Sequence, residues 1–177
     1  MKATGIVRRI DDLGRVVIPK EIRKTLRLRD GDALEIFTDV NGEVIFKKYS
    51  PIGELSLFAA QYADAIHKNA SVPILISDND RIVASSGVSK REVFEKPISQ
   101  KIEELLEMRK SYSSADSEEI VYPIEGSEKK ASVVYPIIAA GDAIGSVIVL
   151  DEGSKPGDTE LKLTSVAASF LGKQMEQ

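Results

Sequence analysis

Residues 6–18 read Ile6-Val7-Arg8-Arg9-Ile10-Asp11-Asp12-Leu13-Gly14-Arg15-Val16-Val17-Ile18, and this stretch decides the fold of the first fifty residues. Residues 6–10 combine β-branched and basic side chains, which predicts a strand with basic residues on both faces. Asp12-Leu13-Gly14 supplies turn chemistry, and residues 15–18 are a second β-branched run. The stretch therefore predicts two short strands joined by a tight turn.

A short helix and a hairpin are predicted to follow. Pro19 has the fixed φ that suits the first helical position, and Ile22 and Leu26 lie four residues apart on one helical face. Asn41-Gly42 lies between two apolar runs and is a strong hairpin signal, because both residues accept a positive φ. The first fifty residues therefore read as short strands around one short helix.

This segment is small for a domain that must be stable alone. It has two Phe, one Tyr and no cysteine. Chains of roughly 50 residues rarely bury enough apolar surface without a disulfide or a metal ion. Interlocking with a second copy would supply the missing core, so we expect an obligate dimer at this end.

The net charge of -4 hides an uneven distribution. Residues 1–29 hold nine basic and three acidic side chains, whereas residues 51–177 hold 13 basic and 20 acidic ones. A basic end joined to an acidic body suggests a polyanion as the partner of one part only. A basic face that is merely solvated is the alternative.

Duplex DNA is the polyanion that the first segment favours. The segment lacks the aromatic platform of proteins that bind RNA or single strands. It also has only one helix, which argues against a helix-turn-helix motif. We therefore expect duplex DNA to be recognised mainly through its backbone and its shape.

The run from Thr4 to Leu26, with its turn, its Arg-Val-Val-Ile-Pro sequence and the following helix, closely resembles the AbrB family of transition-state regulators. The resemblance covers about residues 1–50. It implies a swapped-hairpin β-barrel dimer that binds double-stranded DNA. The family's DNA-contacting positions fall on Arg8, Arg9, Arg15, Arg23 and Lys24. Lys24 keeps the positive charge but lacks the bidentate fork of arginine.

A second domain is predicted over residues 54–177, after a linker at 51–53 that contains Pro51 and Gly53. Its pattern is helix, two strands, helix, three strands and a final helix over 159–174. Short turns join the strands, which predicts an antiparallel α+β domain with helices on one or both faces. The three strands before the final helix are expected at 119–124, 132–138 and 144–150.

The second domain resembles a GAF domain through Val134-Tyr135-Pro136-Ile137 and Gly145-Ser146-Val147-Ile148-Val149-Leu150. Together the two resemblances imply a bacterial regulator that activates or represses sporulation-stage gene expression. They imply a cytoplasmic, nucleoid-associated protein acting in the forespore. Such a protein would be a transcription factor and would have no enzymatic activity.

The first and last helices of this domain are apolar around more of their circumference than one packing partner covers. The residues expected to mediate self-association are Leu55, Phe58, Tyr62, Phe170 and Leu171. Together with the dimer at the other end, this contact would give a homotetramer. A helix sandwiched entirely within its own domain is the alternative.

Sensing of an unidentified small molecule and pure assembly are both open roles for the second domain. With no cysteine and only His67, a thiolate metal site, a two-histidine metal site and a cysteine nucleophile are excluded. No resident cofactor is expected. Asp78 and Asp80 fit a turn better than a cation site, and His67 fits a surface or capping role.

Three other classes of protein are less consistent with the sequence. Antitoxins share the swapped-hairpin fold, but their tails are short, whereas residues 54–177 have the pattern of a full domain. An enzyme would need a nucleophile or phosphate motif that we do not recognise here. No apolar run approaches the roughly 20 residues of a membrane span, so no membrane partner is expected.

Overall fold

A computed structural model describes residues 4–54 and 56–176 and divides the chain into two compact units, residues 1–49 and 50–177. In the first unit, helix α1 (Lys20–Thr25) begins one residue later than predicted, with Pro19 as its N-cap and not as its first helical residue. The unit also contains the antiparallel hairpin of β1 (Leu34–Thr38) and β2 (Val44–Lys48). Gly42 has a φ of 81° in the turn between these strands, a value that glycine adopts without strain.

Residues 6–10 and 15–18, predicted as strands, have no strand partner in the single chain. A strand is stable only beside a hydrogen-bonded neighbour. Here the backbone hydrogen bonds between the two segments are confined to the turn at residues 11–15. None of the described residues 4–49 is fully buried, and Val7 is 88% exposed. One copy of the first unit therefore has no closed hydrophobic core.

The second unit is built on a five-stranded antiparallel sheet with strand order β4-β3-β7-β6-β5. The sheet agrees with the expected α+β class. The strands are β3 (Ile74–Ser77), β4 (Ile82–Ser86), β5 (Tyr112–Ser113), β6 (Ala131–Ala139) and β7 (Asp142–Leu150).

Helices cover both faces of this sheet. They are α2 (Pro51–Glu54), α3 (Ser56–Ala70), α4 (Lys90–Val93), α5 (Gln100–Glu107) and α6 (Asp158–Gln174). One core lies between the sheet and α3 and α6, and includes Ala63 and Leu171. The other lies between the sheet and α5, and includes Ile102 and Leu105. The second unit is thus a three-layer domain with its own hydrophobic cores.

The strand predicted at 119–124 is wrong. This stretch is irregular and makes a single bridge, between Ile98 and Ile124. The edge strand is instead Tyr112–Ser113, which pairs with Val133 and Val134 of β6. The apolar residues of 119–124 serve a different purpose, because Val121 and Ile124 fill the core beneath α5.

The segment predicted as a linker packs onto the second unit. Residues 51–54 form helix α2, and Ile52 is fully buried in the core beside α3 and α6. The Ser50 hydroxyl donates to Oδ2 of Asp78 (2.8 Å) and accepts the N–H of Gly53 (3.0 Å). The chain is therefore anchored to the second unit from residue 50 onward.

Glycine permits one close approach that fixes the position of α6. A Cβ added at Gly172 would overlap the carbonyl oxygen of Ile138 on β6. The neighbouring atoms belong to the backbone, which cannot rotate away. Gly172 therefore lets α6 lie directly on the sheet.

Candidate nucleic-acid interface

The five predicted DNA-contacting residues lie on two neighbouring parts of the first unit's chain. Arg8 and Arg9 are exposed in the irregular segment before the turn, and Arg15 closes that turn. Arg23 and Lys24 occupy the last turn of α1, where cations also interact favourably with the helix dipole. All five carry positive charge on partly or fully exposed side chains, as a phosphate-binding surface requires.

Arg15 is held in place by the turn that it ends. Oδ1 of Asp11 accepts the backbone N–H groups of Leu13 (3.0 Å) and Arg15 (2.7 Å), while Oδ2 accepts Nε of Arg15 (2.8 Å). The Arg15 N–H lowers the pKa of the Asp11 carboxyl below its ordinary range, and the Arg15 guanidinium lowers it further. The side chain of Arg15 is still 70% exposed.

Arg23 is also paired with a carboxylate. Its Nη1 donates to Oδ1 of Asp30 at 2.7 Å, and its Nε is buried without a hydrogen-bond partner among the described residues. Lys24 is exposed. The two arginines are therefore each held by a carboxylate, whereas Lys24 presents an exposed point charge.

Sequence reasoning missed the carboxylates that hold these arginines. From the sequence, no function is assigned to Asp11 or Asp30. A signal for Asp11 was present, because Asp-x-x-Gly-x occurs twice within the first unit, at residues 11–15 and 39–43. Asp30 lies seven residues after Arg23 and beyond the end of α1 at Thr25, so helical spacing within α1 cannot connect the two residues.

A partly exposed aromatic cluster lies on the second unit. We call it the aromatic face, and it consists of Phe58 and Tyr62 on α3 and Phe170 on α6. The ring centroid of Tyr62 is 5.2 Å from that of Phe170, and Phe58 is 6.0 Å from Phe170. Burial raises the pKa of the Tyr62 hydroxyl. Phe170 is 39% exposed, and Val166, one helical turn earlier, is also exposed.

Two of the residues predicted to mediate self-association do not belong to this face as described. Leu171 is fully buried in the core of its own unit, because its side chain points to the sheet and not outward. The expectation for Leu171 is therefore corrected. Leu55 lies outside the described residues.

A cavity of about 490 Å³ lies beside the edge strand β5 of the second unit. Residues in its lining include Lys101, Leu105, Tyr112, Tyr135 and Leu161. Lys101 Nζ lies 2.8 Å from a carboxylate oxygen of Glu119, and this hydrogen bond raises the pKa of Lys101. The Tyr112 hydroxyl donates to the Glu119 carbonyl (2.7 Å). The walls thus combine apolar side chains with a few fixed polar groups.

Within residues 4–54 and 56–176, no cluster of His, Asp and Glu could hold a metal ion. Nδ1 of His67 lies 2.8 Å from the carbonyl oxygen of Val72 and so fastens the end of α3 to the chain that enters β3. Asp78 accepts the N–H groups of Asp80 and Arg81, as a turn-forming carboxylate does.

In the same described ranges, no helix is long and apolar enough to cross a membrane.

Comparison with known proteins gives a family match to each unit. The family described as "Stage V sporulation protein T C-terminal, transcription factor" matches residues 54–176. The family described as "Antidote-toxin recognition MazE, bacterial antitoxin" matches residues 7–53. The first match covers more than half of the chain.

Curated relatives cover the whole chain and its first unit. Stage V sporulation protein T of Bacillus subtilis is 51% identical over 179 residues, covering 100% of both chains. The transition state regulatory protein AbrB of the same organism is 59% identical over 51 residues, covering 29% of this chain and 52% of that protein.

A solved GAF domain shares the fold of the second unit. The GAF domain of an Acinetobacter phosphoenolpyruvate-protein phosphotransferase has a TM-score of 0.51 at 13% identity. The likeness covers 73% of this chain and 84% of that one. At this level of identity the likeness shows the fold alone.

Proposed function

Since the chain belongs to the stage V sporulation protein T family of transcription factors, we propose that it binds duplex DNA through its first unit with a sequence preference. It would activate or repress sporulation-stage genes in the bacterial cytoplasm, specifically in the forespore. A transcription factor family is not an enzyme class. The observation that carries the proposal is the exposed set of five cations on the first unit of a chain whose remainder is acidic.

The proposed DNA-binding form is a swapped-hairpin dimer. A single copy leaves apolar side chains exposed on the segments that lack strand partners, and the largest exposures there are those of Val7, Ile10 and Val17. Burying such a side chain contributes roughly 1.5–3 kcal/mol. A second copy that pairs with these segments would complete both the strands and the core, and would double the basic set.

Removal of charge tests the contact set. Arg8→Ala, Arg15→Ala and Arg23→Ala should each weaken binding to most duplex sequences, because phosphate contacts position a protein and carry no sequence information. Glu35→Gln, on the exposed hairpin strand of the same unit, is a control that should not weaken binding. Sequencing of the duplex DNA retained by the full chain would identify the operator; a random set of retained fragments would refute the proposed sequence preference.

The aromatic face is the proposed contact between dimers. It would join two DNA-binding dimers into a homotetramer and so place two basic surfaces in one particle. Linked sites raise apparent affinity through effective concentration without any new base contact. Phe170→Asp should halve the mass of the full chain in light scattering; an unchanged mass in a folded variant would place the tetramer contact elsewhere.

A sensing role is proposed for the second unit. An effector in the cavity beside β5 would change the DNA affinity of the assembly by favouring one packing arrangement over another. This requires that the effector bind the two arrangements with different affinities. Native mass spectrometry of the full chain from bacterial cytosol tests this directly. A bound small molecule lost on Leu161→Trp, which fills the cavity, supports sensing; its absence supports a purely assembly-forming domain.

The antitoxin alternative rests on the match of residues 7–53. It would require a toxin partner for the remainder of the chain, whereas residues 54–176 match the transcription factor family. Co-purification of a stoichiometric small protein would favour an antitoxin, and its absence favours the regulator.

A further inference from the structure

The first unit contains two turns of the same design. In each, the first residue is an aspartate whose Oδ1 accepts the N–H groups of the third and fifth residues, at 3.0 and 2.7 Å for Asp11 and at 3.0 and 2.8 Å for Asp39. The fourth residue is a glycine with positive φ in both, Gly14 at 77° and Gly42 at 81°. The aspartate N–H also bonds the carbonyl of the fifth residue in each turn.

The two turns differ at the second carboxylate oxygen. Oδ2 of Asp39 accepts Nδ2 of Asn41 (2.9 Å), and the fifth residue of that turn is Glu43. Oδ2 of Asp11 instead accepts Nε of Arg15 (2.8 Å), and Arg15 is itself the fifth residue. The turn at residues 39–43 thus forms with an acidic fifth residue, so the design does not depend on an arginine there. The bond from Asp11 to Arg15 is therefore an addition that the fold does not need.

This bond constrains Arg15 without consuming its binding capacity. Guanidinium carries five N–H donors, and Asp11 engages the one on Nε. The four N–H groups on Nη1 and Nη2 remain on a side chain that is 70% exposed. Because all the bonds of Asp11 run within residues 11–15, this arrangement does not depend on how two copies pair.

We propose that Asp11 is a positioning residue for DNA binding, which holds Arg15 so that its Nη groups face a DNA phosphate. The inference rests on the proposed function and adds a residue that touches no DNA itself. Its value is entropic: ordering a long side chain on binding costs a factor of roughly 2 to 12 in affinity for each Arg15. A dimer that engages both copies of Arg15 would lose about the square of that factor without Asp11.

The direction in which DNA affinity changes when Asp11 is neutralised distinguishes a positioning role from a simple charge effect. A carboxylate near DNA repels phosphates, so removing it on charge grounds alone should strengthen binding. Positioning predicts the opposite for Asp11. Asp12, in the same turn, has no hydrogen bond or ion pair among the described residues and supplies the matched control.

The experiment measures the affinity of the full chain for duplex DNA by fluorescence anisotropy at fixed salt. Asp11→Asn should weaken binding roughly 5- to 150-fold for a dimer, whereas Asp12→Asn should bind as tightly as wild type or more tightly. Arg15→Lys keeps the charge but removes Nε, and should weaken binding by a similar factor. In the Arg15→Ala background, where only the charge effect remains, Asp11→Asn should not weaken binding further and should leave it unchanged or slightly tighter.

A variant in the other turn serves as the control for effects on stability. Asp39→Asn removes the equivalent carboxylate from residues 39–43, so its circular dichroism melting curve measures the general cost of such a change, and its DNA affinity should equal that of wild type.

Three results would overturn the inference. Asp11→Asn could bind as tightly as Asp12→Asn, or Arg15→Lys could bind like wild type, or Asp11→Asn could weaken binding equally with and without Arg15. In each case binding by wild type would leave the proposed function standing. Absence of wild-type binding would overturn the proposed function and this inference together.

Discussion

Gly172→Ala perturbs the contact that seats α6 on the sheet. By helix propensity alone the substitution should stabilise the second unit by about 1 kcal/mol, since alanine is the better helix former. The structure predicts the opposite sign, because the added Cβ would overlap the Ile138 carbonyl oxygen and lie close to two further Ile138 backbone atoms. The helix would have to move away from β6.

The magnitude follows from the nature of the atoms that collide. Overpacking of a core costs about 1–3 kcal/mol and occasionally more. A backbone collision belongs at the upper end, because no rotamer change relieves it. After the gain in helix propensity, a net loss of about 2 kcal/mol remains, which corresponds to a fall in Tm of about 6–10 °C for a domain of this size.

Thermal unfolding of the full chain, followed by circular dichroism, checks this prediction. Ser169→Ala is the matched control, because residue 169 is exposed on the same helix and should gain a few tenths of a kcal/mol. A Gly172→Ala chain as stable as Ser169→Ala would show that α6 does not lie as close to β6 as described. The displaced helix should also disturb the stacking of Phe170 on Tyr62.

Three further predictions concern assembly and pH. Residues 1–50 alone should sediment as a dimer that binds duplex DNA, and a folded monomer would refute the swapped hairpin. The carboxyls of Asp11 and Asp39 should titrate below the ordinary aspartate range in NMR, the second chiefly because the Glu43 N–H lowers its pKa. Because both pKa values are depressed by folding, their contribution to stability is present above the unfolded pKa and is lost as pH falls through the folded pKa. Asp39→Asn should therefore reduce the loss of folding stability at acid pH. A melting temperature that falls with pH as steeply as in wild type would contradict this. Phe170→Asp should dissociate tetramers into dimers while leaving dimer binding to DNA intact.

The sequence predicts the fold wherever the signal is local. Pro19 marks the start of α1, and Asn41-Gly42 marks the hairpin turn, because each acts through the φ angles of one or two residues. The strand predicted at 119–124 failed for the opposite reason. Its apolar residues pack into the core formed with α5. An apolar pattern of this length fits a strand and an irregular segment that fills a core equally well, so the sequence cannot distinguish them.

The candidate site was predictable in its charges and not in its geometry. The clustering of Arg8, Arg15 and Arg23 is visible from composition along the chain. The carboxylate partner of Arg23 could not be predicted, because the pairing of Arg23 with Asp30 depends on the turn after α1. Leu171 shows the same limit, since helical spacing cannot say which side of a broadly apolar helix faces the sheet.

The salt dependence of DNA binding tests the central claim most directly, because it counts the phosphates that the basic set neutralises. Five cations in each protomer give ten in a dimer, and if roughly half reach phosphates, log K should fall against log salt with a slope of about -4 to -5. Arg15→Ala should flatten the slope by about one to two, since the change occurs twice in a dimer. A wild-type slope near zero, or a slope unchanged by Arg15→Ala and Arg23→Ala alike, would contradict the assignment of the DNA-binding surface to the first unit's basic set.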